Sequence, residues 1–370
     1  MIDYIKVEGF KSIKSMELEL TPINVLIGSN GSGKTNFISF FKLLRAIFNR
    51  QLQRHVLEEK ADNLLYFGRK STEHLDGKVI FSDGYDNNAY NFRLSQKHEG
   101  GLFINYEGSG YNVDRNEDSH NYFYNHALEE SEFARSNFER NKYLRGYLAN
   151  LQTFHFHDTS ASSWLRKGCD VEDNQRLKSD GRNLPAFLYL LKTNHPIIYK
   201  RILKTVQSVA PYIYDFILEP STLQHKASEI ELRWIDNNDL DSNFSAYQFS
   251  DGTLRFIALA TVLLQPDPPS VIVIDEPELG LHPLAISKLA GMIDSASSKA
   301  QVIISTQSVN LVDCFTAEEI ITVDRNREEK QSTFKRLKGE DFKAWFDEHS
   351  LGLGELWSRN IINSAQPFTK

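Results

Sequence analysis

The sequence predicts an α/β fold of two lobes, with a mixed N-terminal sheet, a parallel core sheet and a helical insertion. Polar and apolar residues alternate over residues 4–7 and 16–20, which is the period of half-buried strands. In the last third, three apolar runs at residues 271–274, 302–304 and 320–323 alternate with helical patterns. Alternation of buried strands with helices is typical of a parallel sheet covered on both faces.

The length of 370 residues suggests two compact lobes, because domains commonly have about 150 residues. We expect residues 1–110 to form one lobe, whose mixed sheet includes the apolar run at 23–27 and whose residues 78–107 form an antiparallel meander. Residues 226–370 are expected to form the second lobe, which begins with a strand at 229–234. Residues 111–225 are predicted to be a helical insertion or lid, with a helical pattern over 184–210. Its basic and aromatic stretch at 133–147 has two open interpretations, a surface for phosphates and bases or a solvated amphipathic helix.

Composition excludes several classes of protein. Hydrophobic residues make up 41% and charged residues 25%, near the averages of globular proteins, so a disordered chain is not expected. Two distant cysteines and an N-terminus without a signal segment predict a cytoplasmic protein without a disulfide framework. The longest apolar stretch, 256–264, is about half of a membrane span. A net charge of −7 argues against a general cationic coat and is compatible with a local basic patch.

A glycine-rich segment carries the strongest chemical signal. Residues 28–35 read Gly-Ser-Asn-Gly-Ser-Gly-Lys-Thr and fit the phosphate-loop pattern G-x-x-x-x-G-K-[ST], between an apolar run at 23–27 and a helical pattern at 36–48. In this motif backbone N–H groups surround the α- and β-phosphates, Lys34 reaches the β- and γ-oxygens, and the Thr35 hydroxyl holds Mg²⁺. The segment therefore predicts a P-loop NTPase.

Two downstream segments complement this loop. Asp275 and Glu276 follow the apolar run at 271–274 and, read alone, could form a solvated turn. Beside a phosphate loop, Asp275 is expected in the Mg²⁺ shell, and Glu276 is expected to orient and deprotonate the attacking water. Ser250 and Gly252 precede an apolar helix. Ser250 is a good N-cap, and such a helix start is also an anion site, here for the γ-phosphate held by another subunit.

His155 and His157 alternate on a predicted strand, so their side chains share one face. Asp158 could join them in binding a metal. Two histidines on a sheet are more often structural, because a metal site is judged by its number of ligands. We therefore favour the structural interpretation.

The order of these segments makes the chain resemble an ABC-type ATPase head of the SMC, RecF and OLD group. The resemblance rests on the phosphate loop, Ser-Asp-Gly-Thr at 250–253, the strand ending in Asp-Glu at 275–276, and Ser-Thr-Gln-Ser at 305–308. The chain is also similar to stand-alone bacterial ATPases of about this length that are described as AAA-family. This likeness extends to residues 10–12, 66–70, 154–158, 276–283 and 354–357.

The resemblance implies an ATPase that forms a head-to-tail homodimer on ATP, or a higher oligomer. Ser250 and Gly252 would contact ATP across the dimer, Asp275 and Thr35 would hold Mg²⁺, and Glu276 would be the catalytic carboxylate. Gln307 stands where a switch histidine is usual; its amide can donate to a γ-phosphate but does not titrate near neutral pH. Two consequences are open: slow hydrolysis, or a role for Gln307 as a sensor only. The implied nucleotide-binding residues of the loop are Gly28, Asn30, Gly31, Gly33, Lys34, Thr35 and Asn36, with Lys34 also assisting catalysis.

The resemblance leaves two biological roles open. Fewer than fifty residues follow Val323, too few for the nuclease domain that OLD-type enzymes append. We therefore expect a sensor or scaffold ATPase of a bacterial anti-phage defence system, acting with a separately encoded effector. The alternative is a RecF-like DNA-repair or DNA-binding clamp, for which nucleic acid would be a partner. A transporter subunit is disfavoured, because the insertion and the 276–283 segment are typical of the DNA-associated branch.

Overall fold

The computed structural model describes residues 1–82, 87–98, 100–111, 122–124, 127–139, 141–221, 228–326, 328–342 and 352–362. Their contacts divide the chain into two compact units. The first unit comprises Met1–Thr153, Pro269–Val273 and Ala300–Lys370, and the second comprises Phe154–Pro268 and Ile274–Lys299. Each unit is thus assembled from segments that are distant in sequence. The division at residues 110 and 225 stays a prediction.

The chain alternates between strands and helices. The first elements are β1 (Ile2–Phe10), β2 (Ile13–Glu19), β3 (Ile23–Ile27), α1 (Lys34–Phe48), α2 (Leu52–Glu59), α3 (Ala61–Leu64), β4 (His74–Ser82), β5 (Asn87–Gln96), β6 (Leu102–Tyr111), β7 (Tyr122–Tyr124), α4 (Asn141–Ala149) and β8 (Leu151–Phe154). They are followed by β9 (Cys169–Asp170), α5 (Leu184–Asn194), α6 (Pro196–Gln207), β10 (Ile213–Ile217), β11 (Glu229–Ile230), β12 (Arg233–Asp236), β13 (Asp239–Ser245) and α7 (Asp251–Leu264). The last are β14 (Val271–Asp275), α8 (Pro283–Ser297), β15 (Gln301–Thr306), α9 (Val309–Val312), β16 (Ile320–Arg325), β17 (Ser332–Arg336) and α10 (Leu353–Ser358).

The first sheet of the first unit has the strand order β2-β1-β4-β5-β6-β7. All neighbours pair antiparallel, so the meander expected over 78–107 is confirmed and the mixed character expected for the N-terminal sheet is wrong. The reason is connectivity. Strands β1 and β2, and strands β5 and β6, follow each other through short turns, and a short turn can join only antiparallel neighbours.

The second sheet has the order β17-β16-β3-β15-β14-β8. Strand β3 pairs parallel with β15 and β16, whereas β17 pairs antiparallel with β16. The strand before the phosphate loop therefore lies in this core sheet, and the expectation that the N-terminal sheet carries the loop is wrong. All five residues of β3 are buried, which fits a strand covered on both faces rather than a half-exposed one.

Helix α1 packs its aromatic face against both sheets of the first unit. The Phe40 ring lies 6.0 Å from Phe10 on β1 and 6.2 Å from Phe92 on β5. The Phe37 ring lies 5.5 Å from Phe334 on β17. The predicted helical spacing over 36–48 is thus confirmed, and the burial of these rings fixes the end of α1 that follows the phosphate loop.

The second unit combines helices with two small antiparallel sheets, β10-β12-β13 and β9-β11. The pattern at 229–234, expected as one strand, forms β11 and β12 in different sheets. The helical pattern at 184–210 forms α5 and α6, which begins at Pro196, a residue suited to a first turn. The described part of 111–225 contains α4 to α6 and also strands β7 to β10. Within the described ranges, no helix is long and apolar enough to cross a membrane.

A buried carboxylate fastens the turn at Phe133–Arg135 to the first sheet. Glu107 on β6 is fully buried, and it accepts hydrogen bonds from the Tyr90 hydroxyl (2.9 Å) and the Ser131 hydroxyl (2.9 Å). It also accepts from the backbone N–H groups of Glu132 (2.6 Å) and Phe133 (2.8 Å). Burial raises the pKa of Glu107, while these donors favour its ionised form. The stretch predicted at 133–147 therefore begins as part of the core, with Phe133 fully buried; its Arg140 lies outside the described residues.

We expect Glu107→Leu to lower the free energy of unfolding by about 3 kcal/mol, because four donors lose their acceptor. Glu107→Gln keeps an acceptor oxygen and should lose about 1 kcal/mol. Urea titration measures these changes, and hydrogen exchange should show faster exchange of the Glu132 and Phe133 amides. The control is Glu17→Leu, an exposed carboxylate on β2, for which we expect a change within about 0.5 kcal/mol. Equal losses for Glu107→Leu and Glu17→Leu would refute the role of this network.

Candidate nucleotide-binding site

The phosphate loop lies at the carboxyl ends of parallel strands in the first unit. Thr306 of β15 and Thr322 of β16 are both in register with Ile27, the last residue of β3 before Gly28. Crevices beyond the carboxyl ends of parallel strands are the usual ligand sites of open α/β sheets. Gln307 directly follows Thr306 and is exposed, so the structure places this predicted residue beside the strand that leads into the loop.

Two glycines of the loop permit close packing that no other residue would allow. A Cβ atom on Gly28 would lie 2.2 Å from the Val323 carbonyl oxygen. Gly33 has a φ of 121°, and its Cβ would lie 2.2 Å from the Ser332 hydroxyl oxygen. The chain here approaches β16 and β17 as bare backbone, so its peptide groups line the loop in place of side chains. Such a cradle fits phosphate groups.

The side chains of the loop fit a nucleotide with Mg²⁺. Lys34 is buried, and its Nζ donates to the carbonyl oxygens of Gly28 (2.6 Å) and Ser29 (3.1 Å). Its ammonium group thus lies over the loop, where phosphate oxygens would replace carbonyls as acceptors. Thr35, on the first turn of α1, is exposed, as are Asn30 and Gly31. A hydroxyl at this position can enter a Mg²⁺ shell completed by phosphates and water.

A hydrogen-bonded chain of serines braces the loop from behind. The Asn36 Nδ2 donates to the Ser12 Oγ (2.7 Å), which lies 2.7 Å from the Ser332 Oγ. Ser332 Oγ also contacts the Ser32 carbonyl oxygen. Each hydroxyl has one hydrogen, so a consistent assignment has Ser12 donating to Ser332 and Ser332 donating to Ser32. Ser332 is fully buried and had no signal in the sequence, since it lies about 300 residues from the loop.

The two predicted acids lie in the second unit, where β14 ends. Glu276 has a φ of 41°, the left-handed region that residues other than glycine rarely adopt. Such a conformation costs on the order of 1–3 kcal/mol and persists where the surroundings enforce it, often at functional sites. Asp275 and Glu276 line a small cavity together with His157 and Arg255. Both acids thus lie where β14 ends and share this cavity with the Arg255 side chain.

Ser250 caps α7, as the simpler interpretation of the sequence predicted. Its Oγ accepts from the Thr253 backbone N–H (3.1 Å) and lies 2.8 Å from the Thr253 hydroxyl. The Thr253 hydroxyl in turn lies 3.1 Å from the Tyr212 hydroxyl. Ser250 is exposed, so the same helix start is accessible to an anion.

Arg166 holds the segment that precedes α7, and sequence reasoning missed it. Its guanidinium is almost fully buried and donates to the carbonyl oxygens of Ala246 (2.6 Å) and Phe249 (3.1 Å). It also donates to the Asp251 carboxylate at 2.7 Å. Five N–H donors in a rigid fork suit an arginine for such a role. The partners lie some eighty residues downstream, so no local pattern could identify Arg166.

Gly252, in the first turn of α7, packs against the segment that follows Asp275 and Glu276. A Cβ on Gly252 would lie 2.5 Å from the Gly280 carbonyl oxygen, so this contact requires glycine. Arg255, one turn further on, donates to the carbonyl oxygens of Phe156 (2.8 Å) and His157 (2.9 Å). Burial lowers the pKa of Arg255. The start of α7 is therefore tied to two other segments of the second unit.

The metal interpretation of the histidines gains no support. Strand β8 ends at Phe154, so the expectation that His155 and His157 alternate on a strand is wrong. Asp158 instead accepts hydrogen bonds from the backbone N–H and hydroxyl of Ser160, as in a turn. Among the residues with described positions, no group of three histidine, cysteine or acidic side chains could hold a metal ion.

Comparison with known proteins gives one family match. The family model described as "AAA domain, putative AbiEii toxin, Type IV TA system" matches residues 23–313. No curated protein matches the sequence. Among solved structures, the SmcHead bound to the C-winged helix domain of ScpA is similar, with a TM-score of 0.59 and 16% identity over 92% of this chain and 99% of that chain. The Smc head domain with an extended coiled coil bound to the C-terminal domain of ScpA, from Pyrococcus furiosus, is also similar. Its TM-score is 0.55 and its sequence identity 13%, over 95% of this chain and 99% of that chain. At this identity the likeness shows the fold, which is that of an SMC-type ATPase head.

We expect Ser332→Ala to weaken nucleotide binding about fivefold, the equivalent of one hydrogen bond that fixes the loop. Titration with a fluorescent ATP analogue measures the affinity. The matched control is Thr333→Ala, an exposed hydroxyl on the same strand, which should leave the affinity unchanged. An unchanged affinity in Ser332→Ala would show that the serine chain does not support the loop.

Proposed function

Because the chain belongs to this AAA-domain family and has the fold of an SMC-type ATPase head, we propose that it binds and hydrolyses ATP. The observation that carries the proposal is the phosphate loop, where Gly28 and Gly33 pack as bare backbone and Lys34 Nζ lies over the loop. Bound Mg²⁺ would neutralise charge on the transferred phosphoryl group. Thr35 and Asp275 are the residues proposed to hold it.

The remaining side chains have roles that follow from their chemistry. The Lys34 ammonium would stabilise negative charge on the β- and γ-phosphates. The Glu276 carboxylate would orient the attacking water and accept its proton, and the left-handed backbone at this residue would fix the direction of that carboxylate. The exposed Gln307 amide would donate to the γ-phosphate as a sensor, since an amide does not exchange protons near neutral pH.

The site is proposed to be completed by a second copy of the chain, arranged head-to-tail. Ser250 and Gly252 would contact the γ-phosphate of ATP held by the partner. The exposure of Ser250 and the rigid attachment of its segment through Arg166 support this role, because a preorganised anion site loses little entropy on binding.

For the biological role we favour a sensor or scaffold ATPase of a bacterial defence system that acts with a separately encoded partner. The family description, which names a putative toxin of a toxin–antitoxin system, supports this direction. Affinity purification of the tagged protein from its own host, with and without ATP, tests it. Recovery of one stoichiometric protein partner in an ATP-dependent manner would support the role, and recovery of no partner in either condition would contradict it.

We expect Glu276→Gln to slow ATP hydrolysis at least about 100-fold and to accumulate an ATP-dependent dimer, because general-base catalysis is lost while ATP binding is kept. Light scattering coupled to size-exclusion chromatography measures the mass with and without ATP and Mg²⁺. Lys34→Ala combined with Glu276→Gln should return the protein to its nucleotide-free mass. If Glu276→Gln shows no ATP-dependent change in mass, the proposed head-to-tail dimerisation on ATP is wrong.

Mixing two inactive variants tests whether Ser250 acts across the dimer. Lys34→Ala removes the phosphate-loop cation, and Ser250→Arg places a bulky side chain at the start of α7, where the partner's γ-phosphate would bind. In a mixed head-to-tail dimer one site carries both changes and the other carries neither, so the mixture should recover about one quarter of wild-type activity.

The control for this mixture is the protein with both substitutions in one chain, mixed with Lys34→Ala, which leaves no intact site. Recovery in the first mixture alone supports the composite site. Absence of recovery, with mixed dimers demonstrated by mass, would mean that Ser250 acts within its own chain.

A further inference from the structure

A strongly basic groove lies on the surface of the second unit, between α6 and α8. We call it the α6–α8 groove, and its lining residues are Ile197, Lys200, Arg201, Lys204, Thr205, Ser208 and Lys288. Four of these seven are cations, and none of the described residues that line the groove is acidic. The protein as a whole has a net charge of −7, so these cations are a local concentration of charge against the overall sign.

The fold of α6 explains why its cations face outward together. Tyr199, Ile202 and Val206 are buried on one side of this helix. Lys200 and Lys204, one turn apart, consequently share the opposite, exposed side. The apolar side fixes α6 in the second unit, so the row of charges is presented by a rigid element.

A hydrogen bond connects the two walls of the groove. The Arg201 guanidinium on α6 donates to the Ser295 hydroxyl on α8 at 2.9 Å. Lys288, also on α8, is exposed and adds a cation from the second wall. Cations therefore face the groove from both helices, and a bound anion would meet positive charge on two sides.

The chemistry of the lining favours phosphate groups over a protein surface. Lysine is depleted at protein–protein interfaces, which need buried aromatic or aliphatic anchors. The groove offers one exposed apolar side chain, Ile197, beside hydroxyl groups of Thr205 and Ser208. Lysine, arginine and hydroxyl side chains are the groups that contact the phosphates and sugars of nucleic acids.

We propose that the α6–α8 groove binds the phosphate backbone of double-stranded nucleic acid. No aromatic side chain lines the groove, whereas proteins that hold single strands stack unpaired bases on aromatic rings. A duplex needs only contacts to its backbone, which a row of lysines supplies without reading sequence. The groove belongs to the second unit alone, so the proposal does not depend on ATP hydrolysis.

The test uses fluorescence anisotropy with labelled 30-base-pair DNA and RNA duplexes and the full chain, over a series of salt concentrations. We expect the wild type to bind at low salt and to weaken steeply as salt rises. In Lys200→Gln/Lys204→Gln/Lys288→Gln, loss of three phosphate contacts should reduce the slope of log K against log salt by about 2.7 and weaken binding at least about tenfold. The two duplex arms show which nucleic acid is preferred, and binding of either supports the proposal.

The matched control removes three exposed cations elsewhere in the second unit, Arg176→Gln/Arg233→Gln/Lys299→Gln, with the same change in net charge. Circular dichroism and basal ATPase activity verify that both variants fold. Equal losses in both variants would mean that net charge alone governs binding and would overturn the proposal. Tighter binding of a single-stranded oligonucleotide, or equal competition by poly-glutamate, would also overturn it. If the ATP-dependent dimer does not form but the duplex still binds, the result contradicts the proposed ATP-dependent dimerisation and leaves the proposal for the groove intact.

Discussion

The close approach of bare backbone between β3 and α1 is the constraint on which the first unit depends. Gly28 lies against the Val323 carbonyl and Gly33 against the Ser332 hydroxyl, at distances that exclude a Cβ. These contacts are possible because β3 lies inside the parallel sheet, next to β16. The aromatic face of α1 then fixes the helix whose first turn begins at Lys34. The phosphate loop is thus set by packing on both of its sides.

In the second unit, hydrogen bonds from a buried arginine and a close backbone contact fix the start of α7. The start of α7 is exposed at Ser250 and Asp251, so burial of these side chains does not fix it. Arg166, buried behind it, donates to three acceptors of this segment, and Gly252 allows direct contact with Gly280. A buried guanidinium needs such hydrogen bonds, because desolvation of an unpaired charge would be strongly destabilising. Removing the charge of Arg166 would therefore disturb the segment while leaving its surface residues in place.

The sequence predicted features with a local pattern and missed those that depend on distant partners. The order strand, loop, helix around residues 23–48 was predictable, because periodicity and the glycine pattern lie within one stretch. The sheet to which β3 belongs was not, since its partners β15 and β16 lie almost 300 residues away. Ser332 contacts a residue 300 positions away in the sequence, and Arg166 contacts one 80 positions away. The split of 229–234 into two strands also depends on partners, β9 and β10, that alternation cannot identify.

Net charge was the least informative property of this sequence, for a physical reason. Salt screens exposed charges beyond a Debye length of about 8 Å at physiological ionic strength, so acids elsewhere on the surface scarcely reduce the potential inside the α6–α8 groove. What decides that potential is the sign of the nearest side chains, and the helical period collects Lys200 and Lys204 on one face of α6. Lys288 joins them from α8, which follows the acidic segment 275–278 along the chain. An acidic protein can thus present a basic groove, because fold placement rather than composition determines which charges are neighbours.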